Sequence, residues 1–146
     1  MDAPTAYVPG FDYDIFISYA HVDDLTAADG EKGWVERFHD HLVVKLGQRF
    51  GRADRVRIWR DASLTGNELF DDVIRRRISR SAVFLAITSQ GHLASDYCRQ
   101  EVRWFHDHST KEGPGLRVGE RMRFLNVLLY NVPLDESARF RPRATH

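Results

Sequence analysis

The sequence holds a single cysteine, Cys98, among 146 residues. One thiol cannot form an internal disulfide or a cysteine-rich zinc site, and such sparing use suits a reducing compartment. An excess of one charge is lacking too: Lys and Arg total 21, as do Asp and Glu. A chain that coats nucleic acid or an anionic membrane carries a marked basic surplus, so direct binding to either is not expected. No apolar run approaches the roughly 20 residues that span a bilayer. The opening "MDAPTAYVPGFDYD" has no basic-then-apolar signal region. The expected setting is the cytoplasm.

Familiar phosphate-binding signatures are also missing. There is no G-x-x-x-x-G-K-[ST] loop and no G-x-G-x-x-G after the first apolar stretch. Asp23 and Asp24 invite comparison with the acidic pocket of a phosphorylated receiver domain. Its acceptor Asp ends the third strand, however, where this chain reads "LAITS" (85–89). The histidine pairs His39/His41 and His106/His108 are two residues apart, about 200° around a helix, and do not share a metal easily. No metal is expected.

What is present is an ordinary globular balance, 42% hydrophobic and 29% charged. A chain of this length fits one domain and buries roughly two thirds of its unfolded surface. Residues 1–12, with Pro4, Pro9 and Gly10, are expected to be a flexible lead-in to a domain over 13–146. "YDIFISYAH" (13–21) carries the apolar run Ile15, Phe16, Ile17, which fits a strand covered on both faces. Trp34, Val35, Phe38, Leu42, Val43 and Leu46 recur at helical spacing, with Gly47 and Gly51 flanking the exit. "VRIWRD" (56–61) reads as a short strand and "ELFDDVIRRRISRS" (68–81) as a helix. Its Arg75, Arg76, Arg77 and Arg80 form a solvated face or a partner surface. "AVFLAIT" (82–88) is the most continuous apolar run and the expected central strand. Ser89–Ser95 reads as a polar turn, 96–108 as a helix, 111–121 as a Gly/Pro loop and "RFLNVLLY" (123–130) as a fourth strand.

Alternation of strand and helix implies an α/β fold with a parallel sheet covered on both faces. Right-handed crossovers make the flavodoxin-like order 2-1-3-4-5 the expected topology. Such a domain ends in a fifth strand and a final helix. Residues 131–146 supply neither convincingly, so the chain is expected to be a piece of a longer, multidomain protein.

Within "SDYCRQEVRWF" (95–105), Tyr97 and Glu101 are four residues apart, on one face of a helix that Ser95 or Asp96 would cap. That helix follows the third strand, so its first turns lie at the rim where doubly wound sheets bind ligands. An aromatic beside a carboxylate suits a cationic aromatic ring; an ordinary surface pair is the alternative. Trp59 is read as a core residue and Cys98 as a packed small residue.

Three stretches in this order resemble the boxes of Toll/interleukin-1 receptor (TIR) domains. "YDIFISYAH" is similar to the first box. "RDASLTGNELFDDVIRRRISRS" resembles the second box and its following helix. "SDYCRQEVRWF" resembles the S-x-x-C-x-x-E segment of the third helix. Thr65 replaces the usual Pro before Gly66, and the late Phe-Trp box is absent. Many such domains cleave NAD+ between ribose and nicotinamide, to ADP-ribose or a cyclic variant. The resemblance then implies that NAD+ is the substrate, that no separate cofactor is needed, and that Glu101 is the catalytic acid with Tyr97 as the aromatic beside it. Ser18, Tyr19 and His21 are expected to line the nicotinamide-ribose pocket. Arg60, Asp61 and Gly66 belong to a loop that in the family docks on a neighbouring TIR domain and helps complete the site.

The chemistry fits one carboxylate. Nicotinamide leaves NAD+ as a neutral molecule and needs no general acid, unlike the leaving oxygen of an ordinary glycoside. An ionised Glu101 would stabilise the positive ribose that develops. The implied protein is a prokaryotic immune effector, activated by self-assembly when a fused or associated sensor brings copies together. Two alternatives stand beside it: a non-catalytic TIR–TIR scaffold and, more distantly, a nucleoside deoxyribosyltransferase-like enzyme.

Overall fold

A computed structural model describes residues 6–51, 56–60, 68–111, 115, 117–118 and 121–129. Asp61, Thr65, Gly66 and residues 131–146 lie outside them. The described elements run β1 (Tyr13–Ser18), a 3₁₀ turn (His21–Asp24), α1 (Trp34–Phe50), β2 (Ile58–Arg60), α2 (Glu68–Ser79), β3 (Ser81–Thr88), α3 (Gln90–Ala94), α4 (Asp96–Lys111), β4 (Arg117–Val118), β5 (Arg121–Met122) and β6 (Phe124–Leu128).

The main sheet is wholly parallel, in the order β2-β1-β3-β6. This is the expected α/β architecture, with β6 as the fourth strand of the flavodoxin-like series. Strand alternation sorts the core into two layers. Phe16, Phe84, Ala86 and Phe124 pack with Ile74 and Ile78 of α2 and Val102 and Phe105 of α4. Ile17, Leu85 and Ile87 face Val35 of α1 on the other side. Trp59, Phe16, Phe84 and Phe124 stand in register across four strands, with successive ring centroids 5.2, 5.5 and 5.4 Å apart. Each such contact contributes about 0.5–1.5 kcal/mol beyond its burial. Trp59 is thus a core residue, half-buried, with the Arg77 guanidinium 4.7 Å above its ring.

Two expectations need correction. Ser89–Ser95 is not a simple turn: Ser89 accepts a hydrogen bond from His92 N and caps the short helix α3. Ser95 then accepts from Cys98 N at 3.2 Å and starts α4, so two serine caps six residues apart break one polar stretch into two helices. The stretch 111–121 is not all loop, because β4 and β5 form a short antiparallel pair.

Of the lead-in, Tyr7 N and Val8 N donate to the buried Asp14 carboxylate at 3.0 and 2.8 Å, and Arg57 N joins them at 2.8 Å. Ahead of α1, Gly33 offers no capping side chain. Asp24 supplies it instead, accepting from Glu36 N at 2.9 Å. Gly33 has to be glycine here, since a Cβ would overlap the Asp24 backbone oxygen. Asp24→Ala is expected to lower stability by about 1 kcal/mol, the usual worth of an N-cap, as read by urea unfolding. An unchanged midpoint would show that the distant carboxylate is no cap.

Candidate active site

The inward stripe of α4 is Cys98, Glu101, Val102, Phe105 and Ser109. Glu101 falls within it, three residues after Cys98 and four before Phe105, so helical geometry turns its carboxylate toward the sheet. It is 3% exposed, which excludes the ordinary surface pair. At the end of β1, Ser18 lies on the same sheet face as Phe16, and its Oγ donates to Glu101 Oε1 at 3.0 Å. A carboxylate buried this deeply needs such a partner.

A third side chain meets them. His92 of α3, fully buried, places Nε2 3.0 Å from Ser18 Oγ. Burial lowers its pKa to about 4, so the ring is neutral at ordinary pH. Ser89, the α3 cap, itself donates to Asp23 in the turn after β1. Asp23 and Asp24 therefore have scaffolding roles: one holds α3, the other α1. Cys98 Sγ donates to the Tyr19 carbonyl at 3.5 Å. Burial pushes its thiol up to about 12, with Glu101 adding to the shift, which suits a packed thiol and not a nucleophile.

The sequence-predicted residues divide between the two faces of the sheet. Ser18 and Glu101 come together. The Tyr19 ring joins the core layer under α1 and lies 5.2 Å from the His21 ring. Arg60 pairs in register with Ile17 on that face, and its Nη1 bonds His39 Nδ1 of α1. Tyr97, half-buried, packs against the opposite core layer, edge-on to Trp104 at 6.1 Å. His92 and Ser89 were missed because their stretch reads as a turn. The signal available was a pair of cap-forming serines enclosing an apolar residue, Leu93.

A separate open cleft of about 570 Å³ lies between α2 and α4, lined by Arg75, Arg76, Trp104 and Lys111. It adjoins Ser79, just before β3, and so sits at the amino ends of the strands. The Ser18–His92–Glu101 cluster sits at the carboxyl ends, where doubly wound sheets bind ligands. The described residues hold no group of three metal-ligating side chains and no helix long and apolar enough to cross a membrane. No protein-family model matches this chain and no curated protein matches it, so a functional reading rests on its own residues and geometry.

Proposed function

We propose that the chain is a TIR-type NAD+ glycohydrolase. It splits the bond between nicotinamide and ribose, giving nicotinamide and ADP-ribose or a cyclic variant. The observation that carries this reading is Glu101: its carboxylate is turned inward at the carboxyl end of β1 and held there by Ser18. A fixed negative charge is what an oxocarbenium-like ribose needs, and a buried one acts through a lower dielectric than water. The leaving nicotinamide is neutral, so a single carboxylate suffices.

Arg60 faces α1, so in this reading it serves a docking loop with Asp61 and Gly66 and does not touch the ribose. Activity then depends on self-assembly, in a cytoplasmic prokaryotic immune effector that a fused or associated sensor switches on. The test is nicotinamide release from NAD+ across a range of protein concentrations, with and without a crowding agent. Turnover per chain is expected to rise with concentration. No release at any concentration would overturn the enzyme reading.

One observation favours a second reading. Glu101 is 3% exposed and already bonded to Ser18, which is also how a carboxylate that merely ties α4 to β1 would look. The chain would then be a non-catalytic TIR–TIR interaction module, and the same assay separates the two.

A further inference from the structure

We propose that His92 is a positioning residue for Glu101: its Nε2–H donates to Ser18 Oγ, which commits the one hydroxyl proton of Ser18 to the Glu101 carboxylate. The argument is a count of protons. A serine hydroxyl has one hydrogen and two lone pairs, and an ionised carboxylate only accepts. Ser18 donates to Glu101 at 3.0 Å, so toward His92, also at 3.0 Å, its oxygen can only accept. With Glu101 ionised, Nε2 is then the atom that carries the hydrogen. The chain runs His92 to Ser18 to Glu101, and each donor polarises the next.

The surroundings hold these three side chains together and shut out water. His92, Ser18 and Glu101 are 0, 1 and 3% exposed, so bulk water does not stand in for any member. The neutral ring supplies an N–H without adding charge, and the only charge in the chain is that of Glu101. The base of His92 is held as well. Its own N–H is capped by Ser89 at 3.1 Å. A Cβ on the preceding Gly91 would come within 2.5 Å of Val22 and 3.2 Å of Ala20, so α3 lies tight against the segment after β1. The opposite order uses the same heavy atoms: a protonated Glu101 donates to Ser18 and Ser18 to a bare Nε2. It leaves the carboxyl neutral and useless for stabilising a cation.

The two orders differ in measurable nuclei. In the intact protein, the imidazole nitrogen shifts of His92 and the carboxyl carbon shift of Glu101 are to be read by NMR. The expected result is a neutral ring protonated at Nε2 beside an ionised carboxylate; a bare Nε2 overturns the proposal. A second arm rests on the glycohydrolase reading. His92→Phe keeps a ring and removes the donor. It is expected to lower kcat for nicotinamide release about 10- to 100-fold, the scale of orienting partners at metal sites, with KM nearly unchanged. His92→Gln restores an N–H and recovers most of that loss. A folded His92→Phe protein with wild-type kcat overturns the proposal. If the wild-type protein releases no nicotinamide, the glycohydrolase reading fails, and the nitrogen shifts alone decide the order of the chain. They also decide it if His92→Phe does not fold.

Discussion

Glu101→Gln is expected to abolish nicotinamide release from NAD+ while leaving the fold in place. The amide has the shape of the carboxyl, and its oxygen still accepts from Ser18 Oγ, so the tie between α4 and β1 survives. What disappears is the negative charge. In the proposed reaction that charge acts only as the glycosidic bond breaks, and losing one preorganised electrostatic group typically costs about 100- to 1,000-fold. In the proposed reaction one carboxylate carries the work, so the loss should reach the upper end or beyond. Chromatographic assay of nicotinamide, with circular dichroism to confirm folding, checks this. A folded variant with full activity would show that Glu101 is a structural tie and no more.

The second large effect is on stability. His92 is neutral in the folded protein because burial lowers its pKa from 6.5 to about 4. Its folded pKa is the depressed one, so between those values the unfolded chain binds a proton that the folded chain refuses. Stability is full above about pH 6.5, falls as the pH drops toward 4, and levels off below that, where both states are protonated. At about 1.4 kcal/mol per pH unit the loss comes to roughly 3 kcal/mol. Carboxylates lie close by: Glu101 beyond Ser18, Asp23 beyond Ser89. His39, lowered by burial and by Arg60, adds in the same direction. The control is therefore His92→Phe. Urea unfolding from pH 7 to 4 should show a steeper decline in the wild-type protein than in the variant, by about that amount. Parallel curves would mean that His92 takes up its proton without unfolding the domain.

Both expectations depend on residues that differ in how readily the sequence discloses them. Glu101 is legible. Cys98, Val102, Phe105 and Ser109 recur at helical spacing, and Glu101 falls inside their stripe. The strand parity is legible too, since the even-numbered aromatics of "YDIFIS" and "SAVFLAIT" collect on one face. The face that Arg60 takes, in a loop expected to help complete the site, was not so readable. Arg60 shares its sheet face with Ile17, one residue out of phase with Ser18. Closeness to the end of a strand says nothing about which face a side chain takes until the register of the neighbouring strand is known.

The alternation of the four parallel strands with α1, α2 and α4, the two-layered core and the inward turn of one acidic residue follow from this sequence by itself. They are repetitive patterns, and local geometry converts a period of two or 3.6 residues directly into a face. The meeting of Ser18 with His92 and with Glu101 joins positions 74 and 83 residues apart. Only the packing of α3 and α4 onto the end of β1 decides it, because a buried hydrogen bond demands atoms within about 3 Å and no local pattern encodes that docking.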